Sequence, residues 1–78
     1  MKQLLIYKEN GEFVIERVND HFALSYERQD SFKRRYTTEN GFVEGLRSYQ
    51  PIIKEYDVIV EKELKLIVKN LFGAELLS

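Results

Sequence analysis

The sequence predicts an α+β fold: a four-stranded antiparallel meander over residues 2 to 37, then one or two helices over residues 40 to 72 packed on one of its faces. Three observations carry this. Asn10-Gly11 separates two runs rich in Ile, Val, Phe and Tyr, and Asn-Gly accepts the positive φ angles of a type I′ hairpin turn. Counting outward from that turn sorts the apolar residues onto one face. After Thr37 the apolar spacing changes from alternation to helical steps.

The first strand pair comes from KQLLIYKENGEFVIERV. A two-residue turn sets Lys8 opposite Phe13, Tyr7 opposite Val14, Ile6 opposite Ile15 and Leu4 opposite Arg17. Asn19-Asp20 is a second candidate turn. It would place Arg17 opposite Phe22, Ile15 opposite Leu24 and Phe13 opposite Tyr26. One face then collects Leu4, Ile6, Phe13, Ile15, Phe22, Leu24 and Tyr26, and the other holds Leu5, Tyr7, Val14, Glu16, Val18, His21, Ala23 and Ser25.

A fourth strand over residues 31 to 37 follows if Arg28-Gln29-Asp30 forms a three-residue loop. A two-residue loop would point Lys33 and Arg35 into the core, at a cost in desolvated charge.

In TTENGFVEGLRSYQ the apolar residues 42, 43, 46 and 49 have helical spacing, with Asn40 as a candidate N-cap. Gly41 and Gly45 oppose a helix, and the rival reading makes Asn40-Gly41 a turn and residues 42 to 48 a strand. Beyond Pro51, the residues Ile53, Tyr56, Val60, Leu64, Ile67 and Leu71 make one helical stripe, with Glu61 and Lys65 as an i,i+4 pair and Gly73 as the C-terminal cap. The β-branched run Val58-Ile59-Val60 supports a different division, a short strand at 56 to 60 before a helix over 61 to 72. Residues 74 to 78 read as a tail.

Length and composition bound the function. Seventy-eight residues make one domain with a small core, and zero cysteines exclude both a disulfide framework and a thiolate zinc site. The first residues give only a short apolar run before Lys8 and Glu9, too short for a signal peptide, and no run approaches a membrane span. The expectation is a soluble, cytoplasmic protein that needs no membrane.

No phosphate-binding loop, dinucleotide fingerprint, nucleophile elbow or HExxH motif is present, so no enzyme, cofactor or small-molecule substrate is expected. His21 is the lone histidine and reads as a surface residue beside a turn. Pairs such as Asp57 and Glu61 fall short of the six to eight oxygens calcium takes, so no metal site is expected. Gly41 and Gly45, four apart, read as small residues that allow close approach to the sheet.

Two surfaces remain as candidates. Leu5, Tyr7, Val14 and Val18 gather on the face away from the helices, where a one-sided sheet normally places polar groups. That patch predicts a small non-enzymatic interaction module, a regulator, inhibitor or assembly factor binding a protein partner or a second copy of itself. The alternative is a nucleic-acid-binding domain using Lys33, Arg34 and Arg35. Residues 26 to 36 carry four basic and two acidic groups in a chain of net charge −1, the only positive segment. Against it, two or three exposed charges would neutralise few phosphates, and edge strands often carry Lys and Arg to prevent mispairing.

Overall fold

The computed structural model describes residues 2–18 and 31–73. Strand β1 (Gln3–Glu9) and strand β2 (Glu12–Val18) are joined by Asn10 and Gly11, whose φ angles of 53° and 81° are those the hairpin turn requires. The pairing is the one counted from the sequence: Lys8 with Phe13, Tyr7 with Val14, Ile6 with Ile15, Leu4 with Arg17. Strand β3 (Ser31–Tyr36) runs antiparallel to β2 on its other side.

Here the expected meander needs correction. The neighbour of β2 is Ser31–Tyr36, so Arg17, Ile15 and Phe13 face Phe32, Arg34 and Tyr36 across the ladder instead of Phe22, Leu24 and Tyr26. Residues 22, 24 and 26 share the parity of residues 32, 34 and 36 in the sequence, so alternation alone does not choose between them. The expected turn at Asn19-Asp20, the strand through His21, Phe22, Leu24 and Tyr26, and the loop at residues 28 to 30 lie outside the described residues, as does the tail.

Helix α1 (Glu39–Arg47) follows, as the spacing of residues 42, 43 and 46 predicts. Its N-cap is Thr38, not Asn40. The Thr38 hydroxyl accepts from the Gly41 N–H at 3.1 Å, satisfying one of the donors that a helix start leaves open. Glu39 in the first turn and Arg47 in the last both oppose the helix dipole favourably.

A second correction concerns the long C-terminal helix. Residues 53 to 72 divide into a single 3₁₀ turn (Ile53–Glu55), strand β4 (Asp57–Val60), a second 3₁₀ turn (Lys62–Leu64) and helix α2 (Lys65–Phe72), ending at Gly73 with φ 91°. The β-branched triplet prevails because β1 offers it an open edge. β4 pairs parallel with β1, Leu4 beside Val58 and Ile6 beside Val60, and the sheet order is β3-β2-β1-β4. The sheet is therefore mixed. β3 and β4 run in the same direction, and residues 37 to 56 with α1 supply the long crossover between them. Glu61, expected to pair with Lys65 on a helix, instead donates its N–H to the Ile6 carbonyl at 2.8 Å and accepts the Lys8 N–H on its carboxylate at 2.9 Å, so it prolongs the β1–β4 ladder by one step.

The stripe that suggested one helix still faces the core in pieces: Ile53, Tyr56 and Leu64 are buried within it, and Val60, Ile67 and Leu71 pack against it. Leu4, Ile6 and Ile15 form the sheet's contribution, covered by Phe42 and Leu46 of α1 and Val68 of α2. Phe42 is the centre. It stacks on Phe13 at 4.7 Å between ring centroids and meets Tyr36 edge-on at 6.3 Å.

Tyr36 explains Gly45, and the Thr38 cap crowds Gly41. A Cβ on Gly45 would lie 2.9 Å from Cε2 of Tyr36 and closer still to its hydroxyl end, and one on Gly41 would lie 3.1 Å from the capping Thr38 oxygen. At Gly45 the tyrosine ring occupies the space the glycine leaves.

Two substitutions test this packing. Gly45→Ala would stabilise an isolated helix by about 1 kcal/mol. Here we expect a loss of about 1–3 kcal/mol from overpacking, measured by urea unfolding, and a return toward neutral when Tyr36→Val makes room. Phe42→Ala should cost about 3–5 kcal/mol, enough to leave a domain of this size largely unfolded in a thermal melt.

Candidate protein-interaction surface

Alternation divides the sheet into an inner face under the helices and an outer face. Four rows cross the outer face from β4 to β3. Asp57, Gln3 and Val18 form the first, Ile59, Leu5, Glu16 and Lys33 the second, and Tyr7, Val14 and Arg35 the third. Glu9 and Glu12 close the hairpin end. The four residues expected to form an apolar patch, Leu5, Tyr7, Val14 and Val18, do share this face. Their exposure differs. Val14 is fully buried, while Leu5, Tyr7 and Val18 are half-buried. Glu16 is also buried beside them.

Sequence reasoning missed the neighbour that is most open. Ile59 is 47% exposed, one of two large apolar side chains so placed among the described residues, and the register sets it beside Leu5. The signal was the triplet Val58-Ile59-Val60 read as strand, which puts the middle residue on the face opposite its neighbours. Leu66, on α2, is the other exposed large apolar residue among the described residues, and singly scattered apolar groups are normal on a surface.

The β3 side of the face is polar and internally paired. The Tyr7 hydroxyl donates to Glu16 Oε1 at 2.8 Å and accepts from the Lys33 ammonium. Desolvation, and then the bond to Glu16, pushes the Tyr7 phenol above its usual range. The bond to Tyr7, with Glu16 and Glu9 nearby, pushes the Lys33 ammonium up as well. Arg35 donates to Glu9 Oε1 at 2.6 Å and reaches Glu12 at 4.0 Å. That bond to Arg35, with Lys33 adding its field, holds the Glu9 carboxyl below its ordinary value of 4.5.

Of the three basic residues considered for nucleic acid, Lys33 and Arg35 therefore share the outer face, surrounded by Glu9, Glu12 and Glu16. Arg34 has the opposite parity and sits exposed on the inner-face side, across from Ile15. The strand brings two of them together and separates the third. On that inner side Arg17 donates from Nε to the Tyr49 hydroxyl at 2.9 Å and lies over its ring.

Among the described residues, no three His, Asp or Glu side chains group as metal ligands, and no helix is long and apolar enough to cross a membrane. No family model, curated protein or solved structure matches the chain. The functional reading accordingly rests on residues and geometry.

The Glu9–Arg35 bond predicts a pH effect of definite sign. A carboxyl whose pKa is lower in the folded state contributes stability above its unfolded pKa and loses it as pH falls through the folded value. The stability difference between the natural chain and Glu9→Gln, followed by urea unfolding from about pH 6 to about pH 3, should shrink toward zero at the acid end.

Proposed function

We propose that this chain is a small non-enzymatic protein-interaction module, acting as a regulator, inhibitor or assembly factor, and that it holds a protein partner through the β4 side of its outer sheet face. The observation that carries the reading is the exposure of Ile59 beside Leu5. An apolar pair on a sheet face, rimmed by the exposed carboxylates Asp57 and Glu61, has the make-up of a contact patch. Val14 is buried on this face, whereas Leu5, Tyr7 and Val18 offer partial surface.

The same geometry gives less support to phosphate binding by Lys33, Arg34 and Arg35. Three carboxylates, Glu9, Glu12 and Glu16, share the face with Lys33 and Arg35, so this surface has no excess of positive charge. Proteins that bind nucleic acid appreciably at physiological salt neutralise about six or more phosphates.

Ile59→Ser, alone and with Leu5→Ser, tests the proposal. The partner recovered by affinity capture from the native host should be lost from Ile59→Ser while its thermal melt stays close to that of the natural chain. Undiminished capture by the folded double variant would show that the contact lies elsewhere. A fluorescent single-stranded oligonucleotide titrated at about 50 mM salt should show no binding, and tight, salt-sensitive association would instead favour Lys33 and Arg35.

A further inference from the structure

β4 has one edge in the sheet and one outside it. The Asp57 and Glu61 N–H groups bond to the Lys2 and Ile6 carbonyls of the β1 side at 2.9 and 2.8 Å. By the alternation of a parallel ladder, Ile59 turns the same way, and Val58 and Val60 direct their N–H and C=O groups outward. Among the described residues, no strand pairs with that outward edge. The side chains on the outer face alternate acid, apolar, acid: Asp57, Ile59 and Glu61, all exposed.

An open edge is a template for another strand. The charges decide which. A second copy added antiparallel about Ile59 would pair Ile59 with itself and Val58 with Val60, which is favourable, but it would set Asp57 opposite Glu61 at both ends. Like charges directly opposite one another destabilise a ladder. A strand with basic residues at those two positions would turn both contacts from repulsive to attractive.

We propose that the free edge of β4 accepts an extended segment of a partner protein by antiparallel strand addition, and that the segment carries a basic, apolar, basic alternation facing Glu61, Ile59 and Asp57. This rests on the reading of the outer face as a protein contact and specifies its mode. Main-chain bonds to Val58 and Val60 provide the attachment, and the outer side chains provide the selection. The contact is small, so the encounter is a weak one unless other surface adds to it.

The probe is a fluorescein-labelled peptide of sequence TKVIVKT, titrated against the full chain by anisotropy and by ¹⁵N correlation spectra. It should bind and slow the exchange of the Val58 and Val60 amides. The acidic peptide TEVIVET should bind at least about ten-fold more weakly, as like charges across a ladder require. Methylating the two valine amides of TKVIVKT should abolish binding, because those N–H groups enter the ladder. Asp57→Lys, checked by circular dichroism for an unchanged fold, should weaken TKVIVKT and improve TEVIVET.

No binding of TKVIVKT, equal binding of the two peptides, or indifference to amide methylation would overturn strand addition. So would protection of the Val58 and Val60 amides that grows with protein concentration without peptide, which would make a second copy the occupant. If strand addition fails while Ile59→Ser still loses the captured partner, the face is an interface of another kind. If both fail, the interface reading falls with it.

Discussion

Asn10 and Gly11 both turn through positive φ, and this pair of angles ties Leu4 and Ile6 to Arg17 and Ile15 across the ladder. Because side chains alternate, that register decides the contents of both faces at once. A slip of one residue would put Tyr7 and Lys8 where Ile6 and Tyr7 belong and would empty the core of its sheet half. β3 reads its register from β2, and β4 reads its own from β1, so the whole four-stranded order inherits the turn.

On that frame the inner face is closed by aromatic ring contacts and two short helices. Phe42 between Phe13 and Tyr36 joins α1 to β2 and β3, and Val68 and Leu64 are buried in the same core. A chain this small without cysteines has only packing to hold it. That makes the fit of Tyr36 against the glycine face of α1 a structural requirement: residues costly to a helix in isolation are what allow it to approach the sheet. The outer face obeys a different balance, with Glu9, Glu12 and Glu16 set against Lys33 and Arg35. Exposed ion pairs of this kind contribute little to stability, typically about 0–1 kcal/mol, and serve to keep the β3 edge polar.

The parts of the fold legible in the sequence are those governed by local chemistry. The hairpin, its register, a strand expected over 31 to 37, a helix expected from the spacing of residues 42, 43, 46 and 49, and the Gly73 cap follow from turn residues, alternation and spacing. What escaped is long-range. No local signal says that Phe13 meets Tyr36 and not Tyr26, because residues 26 and 36 share a parity. Nor does any turn announce that Val58 lies beside Leu4, since parallel pairing leaves no hairpin to read. The steps of 3 and 4 from Ile53 to Leu71 record burial against one core, and burial alone does not distinguish a helix from a strand flanked by 3₁₀ turns. The candidate surface followed the same division. Parity placed Leu5, Tyr7, Val14 and Val18 together, but the burial of Val14 and the exposure of Ile59 depend on the tertiary arrangement.

Among the described residues, β4 ends the sheet with an open, acid-flanked edge. Amide hydrogen exchange of the free chain, residue by residue across 57 to 61, tests this most directly. The structure predicts alternation: slow exchange at Asp57, Ile59 and Glu61, whose N–H groups face β1, and fast exchange at Val58 and Val60, which face outward. Uniform protection across all five, as a continuous helix from Ile53 to Leu71 would give, would contradict both the parallel pairing and the open edge.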